Sequence, residues 1–278
     1  MSFLSRKVRQ WLFASLGLGV ALGLLASLLG EQDATPLIFF LSSLCGWTYF
    51  VCWSLSFWPQ VVLNHQRKAV DGLSTDFLAL NVVGFASYSL YNCLLCLPTW
   101  ERAAYIERHG EPPGVHANDA VFAVHALLLT LTSSFQACIY SRSRVRLSPA
   151  TILFVVASFV AIIGSLLSGA RKDPFVFLDV LSAVKVASSV CKFVPQVLEN
   201  RRRESTTGFS LAQVVLDAAG SVLSVAQLLV DAVVLHSYRV IRGNPAKLTL
   251  GAVSLLYDSV LFYQHVTYDG EDVDEPLL

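Results

Sequence analysis

The sequence predicts an all-α integral membrane protein: seven spanning helices, arranged as two parallel three-helix bundles joined by a linker helix, with an extra hydrophobic segment in front. Three observations predict it. Apolar residues make up 54% of the 278, and Asp, Glu, Lys and Arg only 14%, against about 25% charged in an ordinary soluble domain. No acidic or basic residue, histidine apart, falls within 10–30, 34–66, 77–100, 120–141 or 147–170. Each gap reaches or exceeds the roughly 20 residues that a helix needs to cross a bilayer. The third observation is that the chain repeats itself. A leucine-rich solenoid is excluded, because its wet face would need charge every turn or two.

Residues 1–33 come first. Arg6, Lys7 and Arg9 precede the apolar run Trp11–Gly30, and Glu31 and Asp33 follow it. A signal peptide fits the basic flank, but its apolar core normally spans about 7–15 residues. A leader and an uncleaved extra membrane helix therefore both stand as readings. Spanning helices follow near 37–58, 76–97, 119–140, 149–169, 174–198, 209–234 and 248–267. The first four are clear from hydropathy. The last three contain Asp179, Lys185, Lys192, Asp217, Asp231 and Asp258, so a plain scan underrates them, and charges inside a membrane point to function.

Alternate loops contain Arg67 and Lys68, then Arg142, Arg144 and Arg146, then Arg201, Arg202 and Arg203. The opposite loops spread Arg102, Arg108, Arg171, Lys172, Arg239, Arg242 and Lys247 among acidic residues. The compact clusters, with Arg6, Lys7 and Arg9, place the first set in the cytosol. The acidic tail, 268–278, is then cytosolic as well. Net charge is zero, with 20 basic and 20 acidic residues, so no whole-chain argument for nucleic-acid binding exists. The six cysteines read as small buried hydrophobes. The pair Cys93 and Cys96 has redox-motif spacing but lacks the soluble βαβ context.

The repeat is specific. Pro59, Gln60, Val61, Asn64, Arg67, Gly72, Ser74, Leu80 and Gly84 recur as Pro195, Gln196, Val197, Asn200, Arg203, Gly208, Ser210, Leu216 and Gly220, at a constant offset of 136. An odd number of helices fits between the copies. Residues 37–140 and 174–267 are therefore expected as two bundles of the same orientation, with 149–169 as linker and a site between them near the midplane. Each proline frees a carbonyl one turn earlier, at Leu55 and at Cys191. The adjoining Gln60 and Gln196 are expected to help satisfy those groups, making hinges of the two Pro-Gln pairs.

The segments SFWPQVVLNHQRKAVDGLSTDFLALNVVGF and CKFVPQVLENRRRESTTGFSLAQVVLDAAG resemble the paired PQ-loops of the cystinosin family of transporters. The resemblance extends through GWTYFVCWSLSFWPQ, NDAVFAVHALLLT and FYQH, over roughly residues 45 to 267. It implies a seven-helix carrier that exports L-cystine from the lysosome or vacuole lumen to the cytosol together with protons. Two features depart from it. The large glycosylated lumenal domain of the animal members is not reproduced, and neither is their Gly-Tyr-Asp-Gln-Leu tail signal. The ending YDGEDVDEPLL resembles instead an acidic dileucine signal for sorting adaptors.

The embedded charges take roles on this basis. An ionised carboxylate at Asp217 costs several kcal/mol unless it is paired or wet, which suits a group that binds and releases a proton. The repeat pairs it with Asn81, so one position is polar in both halves but titratable in only one. The resemblance assigns the coupling proton to Asp217 and adds Asp258. It also adds Asp119, which equally reads as a helix cap. Lys185 and Lys192, two turns apart, share a helix face, and the resemblance ties them to substrate binding and conformational change. Cystine has two carboxylates and two ammonium groups: lysines answer the first, acids and amides the second. Asn81, Asn200, Gln136 and Gln213 are candidate amide contacts, and Gln213 stands where the family has asparagine. Phe50 and Trp53 lie on a helix that lines the family's pocket.

No metal motif, phosphate loop or cofactor signature is present, and no nucleophile and base converge, so an enzyme is the weakest reading. The competing readings are a carrier for another cationic or neutral amino acid, a sugar carrier, and a membrane receptor that moves no solute.

Overall fold

The computed structural model describes residues 5–29, 36–110, 115, 117–141, 146–169, 174–234 and 245–268. The acidic tail, Arg142, Arg144, Arg171, Lys172, Arg239 and Arg242 lie outside the described residues, as does the burial of Asp231. All regular structure among the described residues is helical: α1 (Arg6–Leu29), α2 (Pro36–Arg67), α3 (Thr75–Cys96), α4 (Trp100–His109), α5 (Ala117–Tyr140), α6 (Pro149–Gly169), α7 (Pro174–Cys191), α8 (Phe193–Arg203), α9 (Leu211–Val234) and α10 (Pro245–Tyr268). Six of these, α1, α2, α3, α5, α6 and α9, are long and apolar enough to cross a membrane. Of the three segments expected to be underrated, α9 passes on hydropathy alone, while α7 and α10 are the interrupted ones.

The packing units are not the sequence halves. One unit comprises Met1–Gly72 with Glu199–Leu278, the other Leu73–Leu198. In the first, α2 packs on α9 and α1, and α9 also packs on α10. In the second, α3 packs on α5 and α7, and α6 on α7. The expected bundles 37–140 and 174–267 thus exchange their leading helices, α2 and α7. Each unit is built from the first helix of one copy and the next two helices of the other. The reason is local: the glutamine of each Pro-Gln pair bonds into the other copy's loop, as described below.

Within the first unit, α1 is an interlocked helix. Ser5, Val8, Leu12, Ser15, Gly19, Gly23 and Ser27 form its buried face. A β-carbon on Gly19 would meet Thr48 Cα at 2.5 Å, and one on Gly23 would meet Leu44 Cα at 2.7 Å. Small residues every fourth position let two membrane helices approach closely. Residues 11–29 of this apolar segment are thus helical and packed closely on α2.

The two Pro-Gln segments begin differently and end alike. The helix α2 runs through Pro59 without interruption, nine residues past the span expected to close at 58. The second copy is interrupted at Lys192, between α7 and α8, beside the Cys191 carbonyl that Pro195 cannot engage. Both then turn identically. Lys68 and Glu204 each sit at φ 48°, and Gly72 and Gly208 at φ 102° and 99°, the left-handed region that glycine enters without a Cβ clash.

Two sequence expectations are corrected. The loop after α3 contains a helix, α4, started by Thr99, whose side chain accepts from Arg102 N, and stopped by left-handed Gly110. Its Arg102 Nη1 donates to Leu95 O at 2.6 Å, satisfying a carbonyl that the end of α3 leaves open. The cysteines are not uniformly buried: Cys52 is, whereas Cys138 and Cys191 are exposed. A thiol on a lipid-facing surface meets hydrocarbon rather than water, so it needs no protein cover. The same applies to Leu153 and Leu167 of α6, 70% and 75% exposed.

Candidate functional site

The loops are tied by reciprocal amides. Gln60, buried to 2%, donates from Nε2 to Asn64 Oδ1 at 2.8 Å and to Gly208 O at 3.0 Å. Its Oε1 accepts from Ser210 N at 2.8 Å, just ahead of α9. In the second unit, Gln196 Oε1 accepts from Ser74 N at 2.8 Å, and Ser74 caps α3 by accepting from Phe77 N. The glutamines thus bond the starts of the other copy's helices, where amide donors lack intrahelical acceptors, rather than the carbonyls freed by their own prolines. Replacing Gln60 with Leu strands the buried amide of Ser210. We expect a loss of about 2–3 kcal/mol, read as a lower unfolding midpoint in detergent.

The loop contacts obey the repeat. Arg67 Nη1 donates to Asp71 O at 3.4 Å, and Arg203 Nη1 to Thr207 O at 3.0 Å, again 136 residues apart. A β-carbon on Gly72 would strike the Thr207 carbonyl oxygen, and one on Gly208 the Asp71 carbonyl oxygen. The two loops therefore interlock by backbone. Asn200, expected as a substrate contact, is fully buried and donates to Gln264 Oε1 at 3.1 Å. Beside it, Thr206 and His265 pair at 2.9 Å.

Higher in the first unit lies an acidic group on α9 and α10. Asp217 is half-buried, and its Oδ2 accepts from Ser254 Oγ at 3.2 Å. One turn beyond Ser254, on the same helix face, comes Asp258, buried to 2%. Trp53 Nε1 donates to the backbone oxygen of Asp217 at 3.2 Å. Gly220 makes room for that indole, because a β-carbon there would meet the ring. Trp53 packs edge-on against Tyr49, with centroids 5.1 Å apart, and Phe50 against Trp47 at 5.9 Å. Gln213 stands one turn before Asp217, half-buried. Ser254 was not singled out from sequence, and its signal is the four-residue spacing to Asp258.

The second unit holds the basic group, on α7 and α3. Lys185 Nζ lies 4.0 Å above the Phe85 ring and 5.2 Å from that of Tyr88. Lys192 Nζ lies 5.6 Å from the same Phe85 ring and 4.6 Å from Phe193. One buried aromatic ring therefore serves two ammonium groups, each contact worth about 0.5–2 kcal/mol as desolvation increases. Gly84 permits the approach of α3 to α7, since a β-carbon would collide with Ser188 Oγ. The two lysines do share a face, as their spacing predicts. Phe85 was missed: an apolar residue one turn after Asn81 has no mark of its own in sequence.

The remaining candidates are also in the second unit. Asn81 is buried and donates to Phe77 O at 3.0 Å. Gln136 is buried to 8%. Asp119 is half-buried in the first turn of α5. That helix opens at Ala117, so Asp119 lies inside the turn rather than at the capping position. A carboxylate there still complements the helix dipole.

Comparison with known proteins agrees with this architecture. The PQ loop repeat model matches residues 41–101 and 177–236, one match on each Pro-Gln segment. The chain is 38% identical over 236 residues to Cystinosin of Drosophila melanogaster, covering 83% of this chain and 59% of that protein. It is 31% identical over 248 residues to Cystinosin homolog of Arabidopsis thaliana, covering 84% and 92%. To the protein named Cystine transporter of Saccharomyces cerevisiae it is 24% identical over 254 residues, covering 84% and 96%. The chain spans 57–59% of the length of the nematode and fly relatives. With two interlocked PQ loops, a repeat match on each, and identity to a plant homologue along nearly its full length, the chain belongs to the cystinosin family of PQ-loop membrane proteins.

Proposed function

We propose that the protein carries L-cystine from the lumen of a lysosome or vacuole to the cytosol, coupled to protons, by alternating access. The observation that carries this reading is the sorting of charge in the membrane. Lys185 and Lys192 gather on one aromatic ring of the second unit, while in the first unit Asp217 accepts from Ser254, one helical turn before Asp258. A solute with two carboxylates and two ammonium groups needs both sets, whereas a sugar needs neither. The relatives named Cystinosin and Cystine transporter support cystine among such solutes.

In this reading Lys185 and Lys192 receive carboxylates, with Asn81 and Gln136 as polar contacts in the second unit and Gln213, Phe50 and Trp53 as contacts in the first. Asp217 carries the proton, with Asp258 and Asp119 on its path. Asn200 acts by holding Gln264 and the second loop. The helix break at Lys192 is the bending point of the second copy, where the Pro195 hinge was expected, while unbroken α2 serves as a strut. The clustered arginines support a cytosolic position for the PQ loops and the C-terminal tail, the side on which sorting adaptors would read the tail sequence.

Labelled-solute uptake by the purified protein in phospholipid vesicles tests the proposal. Cystine is expected to enter faster when the outside is acidic than when both sides are neutral, and lysine or arginine in excess to compete poorly. Equal uptake of lysine and arginine would move the substrate to cationic amino acids. No flux of any amino acid would favour the receptor reading and end this one.

A further inference from the structure

In the first unit, the start of α1, the end of α2 and the start of α9 surround an open cleft of about 110 Å³. Trp11, Val62 and Leu63 make its apolar wall, and Lys7, Gln66 and Ser210 contribute its polar atoms. None of the described residues lining it is acidic. Lys7 is half-buried there, whereas Arg6 and Arg9 are exposed. Two helices present their N-terminal ends at this place. Neither α1 nor α9 has an acidic residue in its first turn. A helix N-terminus has partial positive charge and favours anions, so the basic residues crowding the start of α1 are set against their own helix dipole. An anion seated in the cleft removes that conflict.

The cleft also lies at the ends of helices long and apolar enough to cross a membrane, so its apolar wall and its lysine suit a ligand with an acyl chain and an anionic head. Basic pockets between such helices suit lipid headgroups. We propose that it binds an anionic phospholipid from the leaflet bordering the PQ loops. The phosphate sits at Lys7 with Gln66 and Ser210, and the first part of an acyl chain lies along Trp11 and Val62. Pro59 lines the same cleft, and Gln60 beside it bonds Ser210. The bound lipid therefore joins α1 to the first PQ loop and favours the arrangement of α2 on α9 seen here. The site exists only with α1 retained, as its interlocked face against Thr48 and Leu44 supports. It is independent of the transported solute.

Full-length protein is purified with phosphatidylcholine alone or with added phosphatidylserine, and lipid retention is read by native mass spectrometry together with the thermal midpoint. Phosphatidylserine should be retained in preference and raise the midpoint. Lys7→Gln should lower its retention about fivefold, the weight of one basic residue near an anionic surface. Lys7→Arg should retain it, and Arg9→Gln, exposed and away from the cleft, should change little. Equal losses in Lys7→Gln and Arg9→Gln would mean diffuse surface attraction and overturn the site. So would undiminished retention in Lys7→Gln, or an equal midpoint shift from inorganic phosphate in place of lipid. An intact mass lacking the residues of α1 would overturn it at once.

Discussion

Asp217→Asn is expected to abolish uphill accumulation of cystine while sparing downhill flux. Asparagine keeps the size of the side chain and an oxygen for the Ser254 hydroxyl, which now lies 3.2 Å from Asp217 Oδ2. It cannot take up a proton. The Trp53 contact is made to the backbone oxygen of residue 217 and survives the change. One pH unit across a membrane is worth about 1.4 kcal/mol per proton, so one proton per cystine sustains a gradient of about tenfold. Steady-state labelled cystine in vesicles, acidic outside, should therefore reach about that ratio with the native protein and unity with Asp217→Asn. A variant that still accumulates cystine removes Asp217 as the coupling group, and Asp258→Asn, measured in parallel, then tests the buried acid one turn beyond Ser254. Ser254→Ala should leave coupling in place, because it deletes one donor to the carboxylate and keeps the carboxylate itself.

The second large effect concerns stability. Gly208→Ala should destabilise the protein by about 3 kcal/mol or more, because two penalties coincide. The residue has φ 99°, where an L side chain is strained, and its methyl group would run into the backbone oxygen of Asp71. Backbone on both sides of the contact leaves no side chain to swing away. Gly110 supplies the comparison. It has φ 76°, with nothing within 4 Å of the place a methyl group would take, so Gly110→Ala meets only the conformational term, about 1 kcal/mol. Unfolding in detergent, followed by tryptophan fluorescence, separates the two. Equal losses would show that the loops do not interlock through these glycines. Gly72→Ala, its partner 136 residues earlier, should match Gly208→Ala.

Much of this was legible because membrane helices announce themselves through absence of charge, and because the duplication preserves chemically distinctive residues. The matching φ values at Lys68 and Glu204, and at Gly72 and Gly208, show that the repeat encodes a backbone path as well as a pattern. Those glycines were visible in sequence as paired residues, and their left-handed geometry is the reason for the pairing. The helix α4 was missed although Thr99 and Gly110 bracket it, because a hydropathy reading passes over a short charged helix. The shared face of Lys185 and Lys192 followed from a seven-residue spacing. Their common aromatic partner, Phe85, lies on another helix far away in the chain and leaves no local signal.

By itself, then, the sequence determined the helical membrane class, the duplicated plan, the family and the ionisable residues that break the apolar spans. These depend on composition and spacing along one chain, and a bilayer translates them directly into helices. Only the tertiary structure decided which helices keep company. Consecutive helices of one copy were expected to pack together, yet α2 packs on α9 of the other copy, and α7 on α3. Hydrophobic pattern cannot distinguish these pairings, since every face is apolar and lipid is as apolar as a neighbouring helix. The choice rests on polar groups that must be satisfied without water: Gln60 at Ser210 and Gly208, and Gln196 at Ser74. The amides of these two glutamines, which the sequence suggests as repairs to their own helices, instead hold the opposite copy.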